Sequence, residues 1–127
     1  MRTFHLQTEP ISLNSIYNNV KGKGRVKTKK YTTWTNDVLW ELKAQNRSNM
    51  RVVDGYFGIE ITFHRQLTKA DIDNCIKPLV DCLVKAGIVP DDRKLERVSI
   101  EKSTEQGVYI SIYDMNDEAQ KQLEALK

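Results

Sequence analysis

The chain has 127 residues, 39% of them hydrophobic and 29% charged, with a formal net charge of +3. That length supports one domain around one core and is short for two. No apolar run approaches the roughly 20 residues of a membrane-spanning helix, and the opening "MRTFHLQTEP" lacks the apolar stretch and cleavage site of a secretory signal. A single cytoplasmic domain over residues 1–127, with no membrane partner, is the expectation.

"RTFHLQT" alternates apolar and polar residues and predicts a first strand. "EPISLNSIYNN" follows as an irregular segment, broken by Pro10 and rich in Asn and Ser. Then Val20 to Lys30, "VKGKGRVKTKK", holds six basic residues and no acid, leaving 14 basic against 17 acidic residues elsewhere. One short segment supplies the whole positive excess. Lys21, Lys23, Arg25, Lys27 and Lys29 alternate, so an extended backbone would carry all five on one side, with Lys30 next to them. Such an arm suits a polyanion; a solvated loop, loosened by Gly22 and Gly24, is the plainer alternative.

From Thr33 to Asn46, Trp34, Val38 and Leu42 recur one turn apart with Leu39 beside them, predicting an amphipathic helix. Tyr17, Tyr31 and Trp34 flank the basic arm and offer rings for base stacking, although core packing is the simpler role for Trp34. Asp54 and Gly55 mark a turn before "YFGIEITFHR", where Phe57, Ile59, Ile61 and Phe63 alternate with polar residues as a strand should. "NCIKPLVDCLVKAG" sets Ile76, Leu79, Val80 and Leu83 at helical spacing and ends on Gly87, with Pro78 expected to bend its first turns. "RVSIEKS" and "GVYISIYD" alternate on either side of "TEQG", which reads as a hairpin. A polar helix from about Asn116 to Leu126 is expected to close the chain. The order β-α-β-α-β-β describes an α/β fold, a small mixed β-sheet packed by two main helices, plus that polar C-terminal helix.

Cys75 and Cys82 lie seven residues apart on the second helix, about 10 Å along its axis, too far for a disulfide. With His5 and His64 distant, they lack zinc-site spacing and read as reduced core thiols. His64 has no nucleophile motif near it, and the glycines match neither a Walker loop nor a dinucleotide fingerprint.

The informative stretch is "KADIDNCIKP", residues 69–78. If residues 71–73 are extended, Asp71 and Asp73 project to one side; Asn74 then opens the helix, and Lys77, four residues after Asp73, leans back toward the carboxylates. Asp91 and Asp92 follow the helix. A helix over 74–86 is about 20 Å long and five extended residues reach about 17 Å, so residues 87–92 can return most of the way to its start only by running back along it. Converging carboxylates with one lysine need a balancing cation, and oxygen-only ligands favour Mg²⁺ or Mn²⁺, which would activate water and stabilise a phosphodiester transition state, with Lys77 adding charge stabilisation. The alternative is local: Asp71 or Asp73 caps the helix while Lys77, Asp81 and Lys85 form i, i+4 pairs. An EF-hand is excluded, because a loop starting at Asp71 would need glycine where Ile76 stands and glutamate where Cys82 stands.

"DIDNCIK", followed after 13 residues by "DD", resembles the RusA family of Holliday junction resolvases, whose pattern is D-x-D-N-x-x-K, a helix and paired aspartates. "PISLNSIY", with Asn14, is similar to that family's N-terminal Pro/Ser/Asn segment, and the likeness runs from about Pro10 to Lys102. The resemblance implies a mixed α/β subunit in which Asp71, Asp73 and Asp92 bind Mg²⁺, with Mn²⁺ able to substitute, and Lys77 is the essential lysine. Asn74 and Asp91 would support them; on the DNA, Asn14 would be joined by Lys21, Lys23, Arg25, Lys27, Lys29 and Lys30, whose assignment rests on their charge and not on the resemblance. It further implies a homodimer that nicks opposed strands of a four-way junction in recombination and repair. The basic arm and the last dozen residues lie outside the motif. A nuclease for other branched DNA or RNA, or a non-catalytic DNA-binding module, are the alternatives.

Overall fold

A computed structural model describes residues 1–12, 17–64 and 72–116. Its strands are β1 (Arg2–Leu6), β2 (Tyr17–Val20), β3 (Gly24–Lys27), β4 (Phe57–His64), β5 (Leu95–Ser103) and β6 (Val108–Asp114). The helices are α1 (Lys29–Gln45) and α2 (Ile76–Lys85), with 3₁₀ turns at Ile72–Cys75 and Asp92–Lys94 on either side of α2. The expected order is therefore present, with a β2–β3 hairpin inserted before the first helix. The expected C-terminal helix lies beyond residue 116, outside the described residues.

Four strands form one mixed sheet in the order β1-β6-β4-β5, in which β4 runs antiparallel to β6 and parallel to β5. Alternation puts Phe57, Ile59, Ile61 and Phe63 of β4 on the same buried face as Phe4, Leu6, Ile110 and Ile112. Tyr31, Trp34, Val38 and Leu42 from α1 and Leu79, Val80 and Leu83 from α2 complete that core. Each large apolar side chain buried there contributes roughly 1.5–3 kcal/mol of transfer free energy, so this single layer of helices on a sheet is what fixes the two helices in place. The outer edge of β1 is blunted by α1: Gln45 Oε1 accepts the His5 N–H at 2.9 Å and Gln45 Nε2 donates to the His5 carbonyl at 2.6 Å.

Three expectations need correction. β5 and β6 are not a hairpin; both pair with β4, on opposite sides. The connection Thr104–Gly107 passes the end of β4, where the His64 N–H donates to the Gly107 carbonyl at 3.2 Å. Two strand spacings are about 9.6 Å, well within the reach of four extended residues, about 13 Å, so the same loop length serves either pairing. The core-facing β4 takes the interior position, and the charged β5, with Glu96, Arg97, Glu101 and Lys102, takes the edge.

The first helix begins four residues earlier than its apolar pattern predicts. Thr28 caps it, its hydroxyl accepting the Tyr31 N–H at 3.1 Å. Lys29 and Lys30 therefore lie in the first helical turn. Finally, Ile72–Cys75 is a tight helical turn rather than extended chain, and Pro78, third in α2, falls within the first turn, where a missing N–H costs little.

Candidate active site

The return of the chain along α2 starts from Gly87. Its φ of +74° is the left-handed conformation that glycine adopts without strain. The Ile88 N–H reaches the Leu83 carbonyl and the Gly87 N–H the Val84 carbonyl, both at 3.0 Å, a Schellman closure of the helix. Ile88 and Val89 are then buried in the core, and the Ile88 carbonyl accepts the Val52 N–H at 2.8 Å. Those anchors force residues 88–92 back toward the start of α2.

Asp92 consequently arrives beside Lys77: its Oδ2 is 3.7 Å from the Lys77 ammonium, which also lies 3.5 Å from Asp81 Oδ1 one turn further along. Ile76, Lys77, Val80, Asp81, Asp92 and Leu95 line a shallow depression of about 200 Å³ at this point. Asp91 holds the turn in shape. Its Oδ1 accepts the Arg93 N–H at 3.0 Å, and its Oδ2 accepts from Arg93 Nε and Nη2 at 3.2 and 2.9 Å. The Arg93 guanidinium, with its backbone N–H, holds the Asp91 carboxyl well below the usual carboxylate range. Asp91 is thus occupied with shaping the turn that presents Asp92.

Asp73 and Asn74 lie on the 3₁₀ turn that leads into α2, Asp73 exposed and Asn74 half-buried. Burial pushes the Cys75 thiol up, the nearby Lys102 charge opposes that, and Asp73 adds to it. Lys102 faces Phe63 in the β4–β5 ladder, on the face that carries α2, so a second cation stands near the acidic turn. Only alternation in β5 could have signalled it. The Cys82 thiol is pushed up to about 12 by burial. Both cysteines are therefore reduced core thiols with little thiolate to offer a metal.

Asp71 and Asn14 lie outside the described residues. Among the described residues, no three His, Cys, Asp or Glu side chains gather as a metal-binding group. Asp73 and Asp92 are exposed, oxygen-only donors at the entrance of α2, a donor chemistry that suits a hard divalent ion.

The sequence pattern of the endodeoxyribonuclease RusA family matches residues 8–113. The chain belongs to this family. A curated relative, the crossover junction endodeoxyribonuclease RusA of Aquifex aeolicus (strain VF5), is 30% identical over 106 residues, covering 81% of each chain.

In this RusA-family chain the basic segment is distributed over three elements. Lys21 and Lys23 sit in the turn of the β2–β3 hairpin, Arg25 and Lys27 on β3, and Lys29 and Lys30 in the first turn of α1. The expected row of five on one side is limited to Arg25 and Lys27, because the glycines fold the segment back, with Gly24 opposite Val20. Arg25 lies over the exposed Tyr17 ring, 4.3 Å from its centroid. Tyr31 and Trp34 are buried, their ring centroids 6.1 Å apart, and the Trp34 indole N–H donates to the Glu9 carbonyl at 2.6 Å. Neither presents a free face for a base, so Tyr17 is the aromatic of the three that stays available. His5 stacks on Tyr109 at 4.3 Å, as a structural histidine does. Among the described residues no helix is long and apolar enough to cross a membrane.

Proposed function

We propose that this chain resolves four-way DNA junctions as a Mg²⁺-dependent homodimer, each subunit nicking one of two opposed strands. The observation that supports this best is the return of Asp92 to Lys77, at 3.7 Å, across an entire helix. A helix capped only by local acids would not need it. Crossover junction cleavage, the activity named for the Aquifex relative, is carried over to this chain on that basis.

Asp73 and Asp92, joined by Asp71, would hold the metal. A bound divalent ion supplies a nucleophilic water at neutral pH and charge stabilisation at the phosphorus. Asn74, next to Asp73 on the same 3₁₀ turn, would orient it. Asp91, through Arg93, fixes the approach of Asp92. Lys77 is held between Asp81 and Asp92 and is more than half exposed, so its ammonium can transfer from those carboxylates to the non-bridging oxygens of a phosphate, where negative charge grows in the transition state. Positive charge on the hairpin draws the DNA in.

Cleavage of a synthetic four-way junction, with Mg²⁺ and with chelator, and by Asp73→Asn, tests the proposal. Paired nicks that require Mg²⁺ and vanish in Asp73→Asn are the expected result. Cutting that persists in chelator would contradict it. Tight binding without cleavage by the folded protein would instead identify a DNA-binding module, and a preference for branched RNA or flaps would redirect the substrate.

A further inference from the structure

Lys27 at the base of the hairpin and Lys85 at the far end of α2 converge on one ring: their ammonium nitrogens lie 5.8 and 5.9 Å from the Tyr31 centroid. From sequence, Lys85 was expected to pair with Asp81; Asp81 instead pairs with Lys77. Among the described residues, the ion pairs are Lys77 with Asp81 and Asp92, and Arg93 with Asp91, so neither Lys27 nor Lys85 has a carboxylate partner there. An exposed cation over an aromatic ring gains only about 0.5–1 kcal/mol, while two ammoniums directed at one ring repel each other. Tyr31 is 4% exposed and packs on Trp34, so the ring that orients both lysines is fixed. The two ammoniums, 5.8 and 5.9 Å from one centroid, are thereby kept within about 12 Å of each other, close enough for each to meet a phosphate of the same DNA backbone.

The surroundings indicate which anion. Arg25, Lys21 and Lys23 continue from Lys27 along the hairpin, and Lys29 and Lys30 follow it, a track of cations rather than a pocket for one small ion. Lys77 and Lys85 are eight residues apart on α2, about 12 Å along the axis, or about 3.5 base pairs at 3.4 Å each. Resting on the DNA-cleaving reading above, we propose that Lys27 and Lys85, oriented by Tyr31, form a second phosphate-binding point that grips the DNA backbone three to four base pairs from the phosphate at Lys77. This point sets the register of the strand on the enzyme, and it brings Lys85, which the family motif does not include, into the DNA-binding surface.

The test measures binding of a synthetic four-way junction in chelator, between 50 and 200 mM salt, for the full chain and for Lys27→Gln, Lys85→Gln and the double variant. Both substitutions are at exposed positions, so thermal melting should not move in any of the three variants. Each single variant should weaken binding several-fold and flatten the slope of log K against log salt by about one, the double variant by about two. Single methylphosphonates, scanned along each arm, should weaken the wild type at three to four base pairs from the scissile position, less so in Lys85→Gln, and add nothing further in the double variant. A wild-type salt slope in both single variants, or a scan with no position coupled to Lys85, would overturn the proposal. Because these readouts need no cleavage, failure of the nuclease reading on addition of Mg²⁺ is seen separately.

Discussion

The two ends of α2 carry opposite chemistry on one short rod. At its start, Lys77 stands between Asp81 and Asp92, with Asp73 on the preceding turn. At its finish, Lys85 shares a ring with Lys27 and meets no acid among the described residues. The helix dipole favours this polarity, because the N-terminal end attracts anions and the C-terminal end cations, each interaction worth about 0.3–1 kcal/mol at an exposed site. The difference teaches a division of labour: one end concentrates carboxylates around a lysine where bond breaking is proposed, and the other leaves cations without counterions for a polyanion to find. The buried face between them, Leu79, Val80, Cys82 and Leu83, keeps the separation rigid.

The largest effect tests that rigid face. With Cys82 pushed up to about 12, its thiolate fraction at pH 8 should be roughly 2000-fold below that of the unfolded chain, whose thiol is near the ordinary 8.5. Iodoacetamide should label Cys82 at that pH only through unfolding; rapid labelling of the native protein would mean that α2 is not seated as described. The sign of the linked stability follows: the unfolded chain loses its proton first, so the contribution is complete below pH 8.5 and declines as pH rises from there toward 12.

At the acidic end, Asp92→Asn should reduce cleavage by more than about 100-fold, since even partners one shell out from a metal are worth 10–100-fold. Its thermal stability should change little, because exposed ion pairs contribute about 1 kcal/mol at most. Activity within a few-fold of wild type would erase the distinction between the ends. Asp91→Ala should fall in that lower range, about 10–100-fold, with weaker metal dependence as the signature; an effect equal to that of Asp92→Asn would make Asp91 a direct ligand. The smallest effect belongs to the basic end, where Arg25→Gln should flatten the salt slope of junction binding by about one, and an unchanged slope would remove β3 from the DNA surface.

What the sequence made legible depended on local rules. The strand at Phe57–His64, the C-terminal glycine of α2 and the reduced cysteines followed from periodicity and turn chemistry alone, whereas chain length only permitted the return of Asp92 and the family resemblance implied it. The choice of strand partner did not. "RVSIEKS" and "GVYISIYD" satisfy a hairpin and a split arrangement equally, and only the need to bury both edges of β4 decides between them. Lys85 was misassigned for a similar reason: spacing along a helix names Asp81 as its neighbour, whereas the position of Tyr31 is set by a different helix. The basic arm looked extended because alternation was read through two glycines that in fact close a turn.

Soaking crystals in Mn²⁺ and locating it by anomalous scattering bears most directly on the division between the ends. The account predicts an ion about 2.1 Å from carboxylate oxygens of both Asp73 and Asp92, with the Lys77 ammonium displaced from Asp92 and no ion at Lys85. Manganese bound elsewhere, with Asp92 still paired to Lys77, would contradict it.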